Sequence, residues 1–205
     1  PRVVSASAGG DAIAAPSVTL RAALADPRQW YLNASWLLLG GVAMMTSVHI
    51  VPFARDQGVS LADASLTLTA YGLGSVGGRL ASGAISDRLG TVVTIRAGYL
   101  AQIAALAMLL LIPSRDMVLA SLVVFGIGFA AADTMVTKVI PDVFGVRAIG
   151  AIMGVLTLGW RAGAAAGPAA AGFLYDATSS YTIPFAAAPV AVLTSWGLFA
   201  LATRR

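Results

Sequence analysis

The stretch AIGAIMGVLTLGWRAGAAAGPAAAGFLY, Ala148 to Tyr175, holds a single charge, Arg161, near its middle. It exceeds the roughly 20 apolar residues needed to cross the hydrocarbon of a bilayer as an α-helix. A guanidinium at that depth is costly and by default marks a functional position facing a cavity or a partner. A second arginine, Arg79, interrupts another apolar stretch, Ala64 to Ser86. Two cations inside apolar runs, with few anions beside them, predict a site that receives negative charge.

Working outward, the composition requires a membrane. Hydrophobic residues make up 58% of the chain and charged residues only 11%, with a mean hydropathy of +0.84. A soluble domain carries about a quarter charged residues, so this chain lacks the polar surface that water requires. The net charge of +4 comes from dispersed basic residues. They form no stripe and have no interleaved aromatics, which argues against nucleic acid as a partner. Cysteine is absent, which removes disulfides and cysteine-based metal or nucleophile chemistry. One histidine and no glutamate, with no nucleotide loop and no metal-ligand cluster, lead us to expect neither an enzyme nor a cofactor.

Six apolar spans are expected, at about 30–52, 63–86, 91–113, 117–140, 148–175 and 183–203, making an all-α bundle of residues 29–205. The polar punctuation between them is short, so neighbouring helices should run antiparallel. Residues 1–28, rich in Ala, Ser, Pro and Arg, read as a cytoplasmic linker or tail. The chain does not begin with Met, in keeping with a fragment. With the N-terminus inside, Arg2, Arg21, Arg28, Arg88, Arg96, Arg147, Arg204 and Arg205 fall on the cytoplasmic side. Only Arg55 and Arg115 fall outside, a positive-inside pattern that puts both termini in the cytoplasm of a cell-membrane protein. Lys138 lies near the inner end of the fourth span, within snorkelling reach of that face.

A weak repeat is also legible. Gly83-Ala-Ile-Ser-Asp87 closes the second span and Gly172-Phe-Leu-Tyr-Asp176 closes the fifth, in opposite directions across the membrane. That pattern predicts two three-helix units of inverted topology, 3+3, a plan typical of secondary transporters.

The sharpest motif continues from the first of these: Gly83-Ala-Ile-Ser-Asp87-Arg88-Leu-Gly90. Its glycines permit close helix approach and a tight turn. Asp87 can accept from a neighbouring helix N-terminus, and Arg88 can bind opposite charge or lipid phosphate. The motif resembles the G-x-x-x-D-[RK]-x-G signature of the major facilitator superfamily, although Thr91 and Val92 stand where that family has two further basic residues. From about Ala23 to Arg205 the chain resembles the C-terminal six-helix half of a twelve-helix facilitator. It is most similar to the monocarboxylate porter and oxalate/formate antiporter group, through Ser47-Val-His49-Ile-Val-Pro52, Asp56-Gln-Gly58-Val-Ser60, Gly78-Arg79-Leu-Ala-Ser-Gly83, Gly126-Ile-Gly128 and Gly167-Pro168.

The resemblance implies a secondary transporter of small carboxylates working by alternating access. Its partners would be the carboxylate, a co-transported or exchanged ion, membrane lipid, and a missing N-terminal half or a second copy. Arg79 matches the family's carboxylate-binding basic residue in the eighth helix. Arg161 is the basic candidate matching the second one, in the eleventh. Arg79 stands about 12 Å and Arg161 about 20 Å from the cytoplasmic side at 1.5 Å per residue. A planar guanidinium offers a carboxylate a bidentate match. In the alternative reading these arginines are structural, paired with Asp133 or backbone carbonyls. Tyr71 and Trp160 either line the cavity or serve as packing anchors. Asp133 is either a proton-coupling group or the counter-ion of Lys138 or an arginine. Proton-coupled members often carry an acid four residues before the eighth-helix arginine, where this chain has Ser75. His49 is either a pH-sensitive gate or a structural residue of the interface. Asp87, Arg88, Gly83 and Gly90 are gating candidates. Two other functions stay open: a drug or small-solute facilitator of the same superfamily, and a non-transporting membrane scaffold or sensor.

Overall fold

The computed structural model describes residues 18–111 and 114–204. Every regular element among them is an α-helix. A short helix, α1 (Leu20–Ala25), is followed by six long ones: α2 (Pro27–Asp56), α3 (Leu61–Leu89), α4 (Thr91–Leu111), α5 (Arg115–Phe144), α6 (Ile149–Thr178) and α7 (Thr182–Ala202). These six lie on the six apolar stretches, most of them running a few residues beyond. Residues 1–17 of the expected linker lie outside the described residues, whereas residues 20–25 form α1 and α2 already begins at Pro27. Among the described residues five helices, all the long ones but α3, are both long and apolar enough to cross a membrane. At 29 residues α3 has the length, but it carries Asp63, Arg79, Asp87 and Arg88 among many glycines and serines.

Local chemistry sets the helix ends. Asp26 caps α2, accepting from the Arg28 backbone N–H at 2.8 Å, with Pro27 in the first turn where its missing N–H costs nothing. The Arg28 guanidinium also donates to this carboxylate, and the pair holds the Asp26 pKa below its ordinary value of 3.8. Ser60 caps α3 through the Asp63 N–H. At the turn from α3 to α4, Gly90 takes φ +89°, which L side chains rarely adopt.

Most of the close packing joins helices that are not consecutive in the chain. The main contacts are α3 with α5, α2 with α6, α4 with α5, α2 with α7, and α4 with α7. Exchanging α2, α3 and α4 for α5, α6 and α7 maps this set of partners onto itself. Two of these pairs, α3 with α5 and α2 with α6, run parallel: Asp63 and Arg115, at the starts of α3 and α5, meet at 2.7 Å. Asn33 donates from α2 to the Val155 carbonyl of α6 at 2.8 Å.

Small residues bring these pairs together. A Cβ on Gly74 or Gly78 of α3 would strike the Val123 or Ile127 carbonyl of α5, and one on Gly163 or Gly167 of α6 would strike that of Leu37 or Gly41 of α2. Lipid tails are as apolar as leucine, so helices associate in a bilayer through such close backbone packing rather than by hydrophobic exclusion. On the far side of the bundle, the buried hydroxyls of Ser35 (α2), Tyr99 (α4) and Ser195 (α7) bond to one another, 3.0 to 3.2 Å apart.

Candidate functional site

The candidate residues form two clusters at similar depth. In the first, Arg79 lies ten residues before the end of α3, and Asp133 eleven before the end of α5. Both therefore sit about 15–17 Å from the same end of the bundle. Arg79 Nη2 stands 3.9 Å from Asp133 Oδ2, a loose pair whose side chains are 53% and 27% exposed. Two turns earlier on α3, Tyr71 packs its ring against Phe125 and Phe129 of α5, with centroids 5.6 and 6.3 Å away. Ser75, between them, is buried where α3 crosses α5.

The second cluster lies on α6 against α2. Arg161 is twelve residues from the start of α6, about 18 Å along it and level with Arg79. Its guanidinium carbon lies 5.8 Å from the centroid of the Trp160 ring. The side chain is exposed, and among the described residues no carboxylate lies within 4 Å of it. Trp160 itself packs against Gly40 of α2, and its buried Nε1 has no acceptor. The two arginines thus stand on different helix pairs. With Asp133 they leave one uncompensated positive charge at mid-depth among the described residues.

The remaining candidates lie toward the ends. Asp87 receives Lys138 Nζ at 3.2 Å, so its partner is an ammonium rather than the helix N-terminus considered from sequence. Lys138 is accordingly taken by Asp87, and the cation beside Asp133 is Arg79. Arg88 is exposed, and Gly90 makes the turn. The expectation that Gly83 permits close helix approach is corrected, since among the described residues no other helix lies within 4 Å of where its Cβ would stand. Near the opposite end, His49 Nε2 donates to the Pro168 carbonyl at 3.0 Å, joining α2 to α6. A carbonyl can only accept, so this nitrogen carries the proton. The imidazole also packs on Tyr181, with ring centroids 5.1 Å apart.

An apolar groove of about 250 Å³ runs between α2, α6 and α7, past Met45, Ala170 and Pro184. No charged residue lines it, so it is distinct from both clusters. Sequence reasoning did not find the Asn33 link to α6, the Ser35–Tyr99–Ser195 network or the Asp87–Lys138 pair. A polar residue inside an apolar run signals an internal partner; nothing in the run says which helix supplies it.

Comparison with known proteins bears on this geometry. The family model of the Major Facilitator Superfamily matches residues 2–117 and 31–205. The chain belongs to that superfamily. An uncharacterised MFS-type transporter of Escherichia coli K12, YhjX, is 24% identical over 151 residues, covering 71% of this chain and 37% of the relative. Monocarboxylate transporter 11 of Homo sapiens is 26% identical over 157 residues (72% of this chain, 33% of the relative). Its counterpart in Mus musculus is 29% identical over 159 residues (72% and 35%). The facilitator chain therefore spans about a third of the length of the curated relatives it matches. It is a membrane protein of a transporter family and is similar to monocarboxylate transporters.

Proposed function

We propose that the chain is one six-helix half of a secondary transporter that moves small organic anions, monocarboxylates or dicarboxylates, by alternating access. The exposed Arg161 guanidinium at mid-depth, with no carboxylate near it among the described residues, carries this reading. A cation at that depth is retained at a cost, and an anionic substrate offsets it. Arg79 is the second ligand. Its loose hold on Asp133 leaves guanidinium donors for a carboxylate and places a titratable group beside the substrate. Tyr71 and Trp160 flank these two cations. The partner pattern that survives exchange of the two helix triplets supports the 3+3 inverted plan, with the site between units. Both termini are cytoplasmic by the positive-inside rule, and the Gly83–Gly90 turn with Asp87 and Arg88 forms part of the cytoplasmic gate. A second six-helix unit completes the cavity. Binding of the anion between the two units shifts the balance of inward- and outward-open states.

The test is uptake of radiolabelled lactate, formate and oxalate by the complete native polypeptide in proteoliposomes. Arg161→Gln and Arg79→Gln should each lower uptake at least tenfold, since each removes a charged partner of an anion that has given up its hydration shell. Arg115→Gln, at the far end of the bundle, should leave uptake unchanged. Anion uptake that persists in both variants would favour a facilitator of other solutes in which these arginines are structural. Absence of flux for any solute would favour the scaffold reading.

A further inference from the structure

A second cavity, about 390 Å³, opens at the seam of α4 and α7, lined by Arg96, Leu193, Trp196, Gly197 and Ala200. Its level follows from the helix ends. Arg96 is five residues from the start of α4, and Trp196 is six from the end of α7, about 8 and 9 Å along their helices. Both helices have 21 residues, about 31 Å, which is close to the hydrocarbon thickness. The Arg96 guanidinium therefore starts below the headgroups and must snorkel outward. Among the described residues no carboxylate lies within 4 Å of it, and no acceptor meets the Trp196 indole N–H. An exposed arginine and an amphipathic indole thus share the mouth of a cavity whose inner wall is apolar. The same end of the bundle also carries Arg88, Lys138, Arg147 and Arg204, against Asp26, Asp87 and Asp142.

We infer that this cavity is a binding site for one anionic phospholipid. The phosphate takes the Arg96 guanidinium and an acyl chain runs along Leu193 and Gly197 between α4 and α7. Trp196 donates its indole N–H to the phosphate or glycerol-ester oxygens. Basic pockets between transmembrane helices at this level bind acidic headgroups, and tryptophan is enriched at the same depth because its ring is part apolar and part polar. The opposite end, with Arg55 and Arg115 among Asp56, Asp63, Asp116 and Asp176, has no comparable surplus of cations. The site lies between α4 and α7, which carry neither Arg79 nor Arg161, so it does not depend on what the transporter carries.

The experiment is native mass spectrometry of the complete polypeptide released from nanodiscs of either dioleoylphosphatidylglycerol or dioleoylphosphatidylcholine. The expected result is one retained phosphatidylglycerol and no retained phosphatidylcholine. Arg96→Gln should lower retention about fivefold, in line with one basic residue near an acidic leaflet. Arg96→Lys should restore most of it, and Arg147→Gln, at the same end, should leave it unchanged. Equal retention of the two lipids, or undiminished retention in a monodisperse Arg96→Gln protein, would overturn the site. Arg96-dependent binding of glycerol phosphate alone would overturn the lipid in favour of a soluble phosphate.

Discussion

At the residue scale, the proposed anion site turns on how Arg79 would divide its charge between Asp133 and a substrate. The 3.9 Å separation and partial exposure of both side chains place this pair among those worth about 0.2–1 kcal/mol. Asp133→Asn should therefore tighten the apparent KM for the transported anion about two- to fivefold, because the substrate no longer competes with a resident carboxylate. If Asp133 carries the coupling proton, the same variant exchanges anion for anion normally but no longer accumulates it along a pH gradient. Counterflow and gradient-driven uptake, measured side by side, check both outcomes. Unchanged gradient-driven accumulation would assign Asp133 to charge balance alone. That this carboxylate lies beside Arg79, with Lys138 claimed by Asp87, is a matter of helix rotation that spacing along α5 does not encode.

At the scale of the elements, the crossings of α2 with α6 and of α3 with α5 decide stability. On α6, Gly163 meets the Leu37 backbone so closely that any Cβ must push the two helices apart. Gly163→Ala should cost about 1–3 kcal/mol through overpacking, read as a lower thermal midpoint in detergent. Gly154→Ala, on the same helix with nothing within 4 Å, should be neutral or slightly stabilising, because alanine is the better helix former. Equal effects of the two would show that close packing at Gly163 is not what holds α6. Both glycines look alike in the sequence; which face of α6 reaches α2 is decided only when the helices pack.

At the scale of the whole molecule, the proposed alternating-access cavity needs a second six-helix unit. Detection of the native polypeptide in its own membrane, through the α7 end, should show a product of about twice the 20.8 kDa of this chain. That result would place both six-helix units in one polypeptide. A product near 20 kDa would leave assembly of two copies or a role other than transport.

That the chain is helical and membrane-embedded follows from local features of the sequence. Period, length and charge content are local quantities, and the bilayer demands that each spanning segment satisfy its own backbone. The two mid-depth arginines follow in the same way, because a guanidinium in an apolar run is conspicuous without any partner. Only the tertiary structure decided which helices touch, that Arg79 and Arg161 belong to different helix pairs, and that Arg79 is the arginine beside Asp133. It also decided that Arg96 and Trp196 share one cavity. Those facts depend on the rotation and crossing of helices far apart in the chain. Backbone contacts at glycines such as Gly74, Gly126 and Gly163 fix these orientations, and one glycine in such a chain looks like another until its neighbour is known.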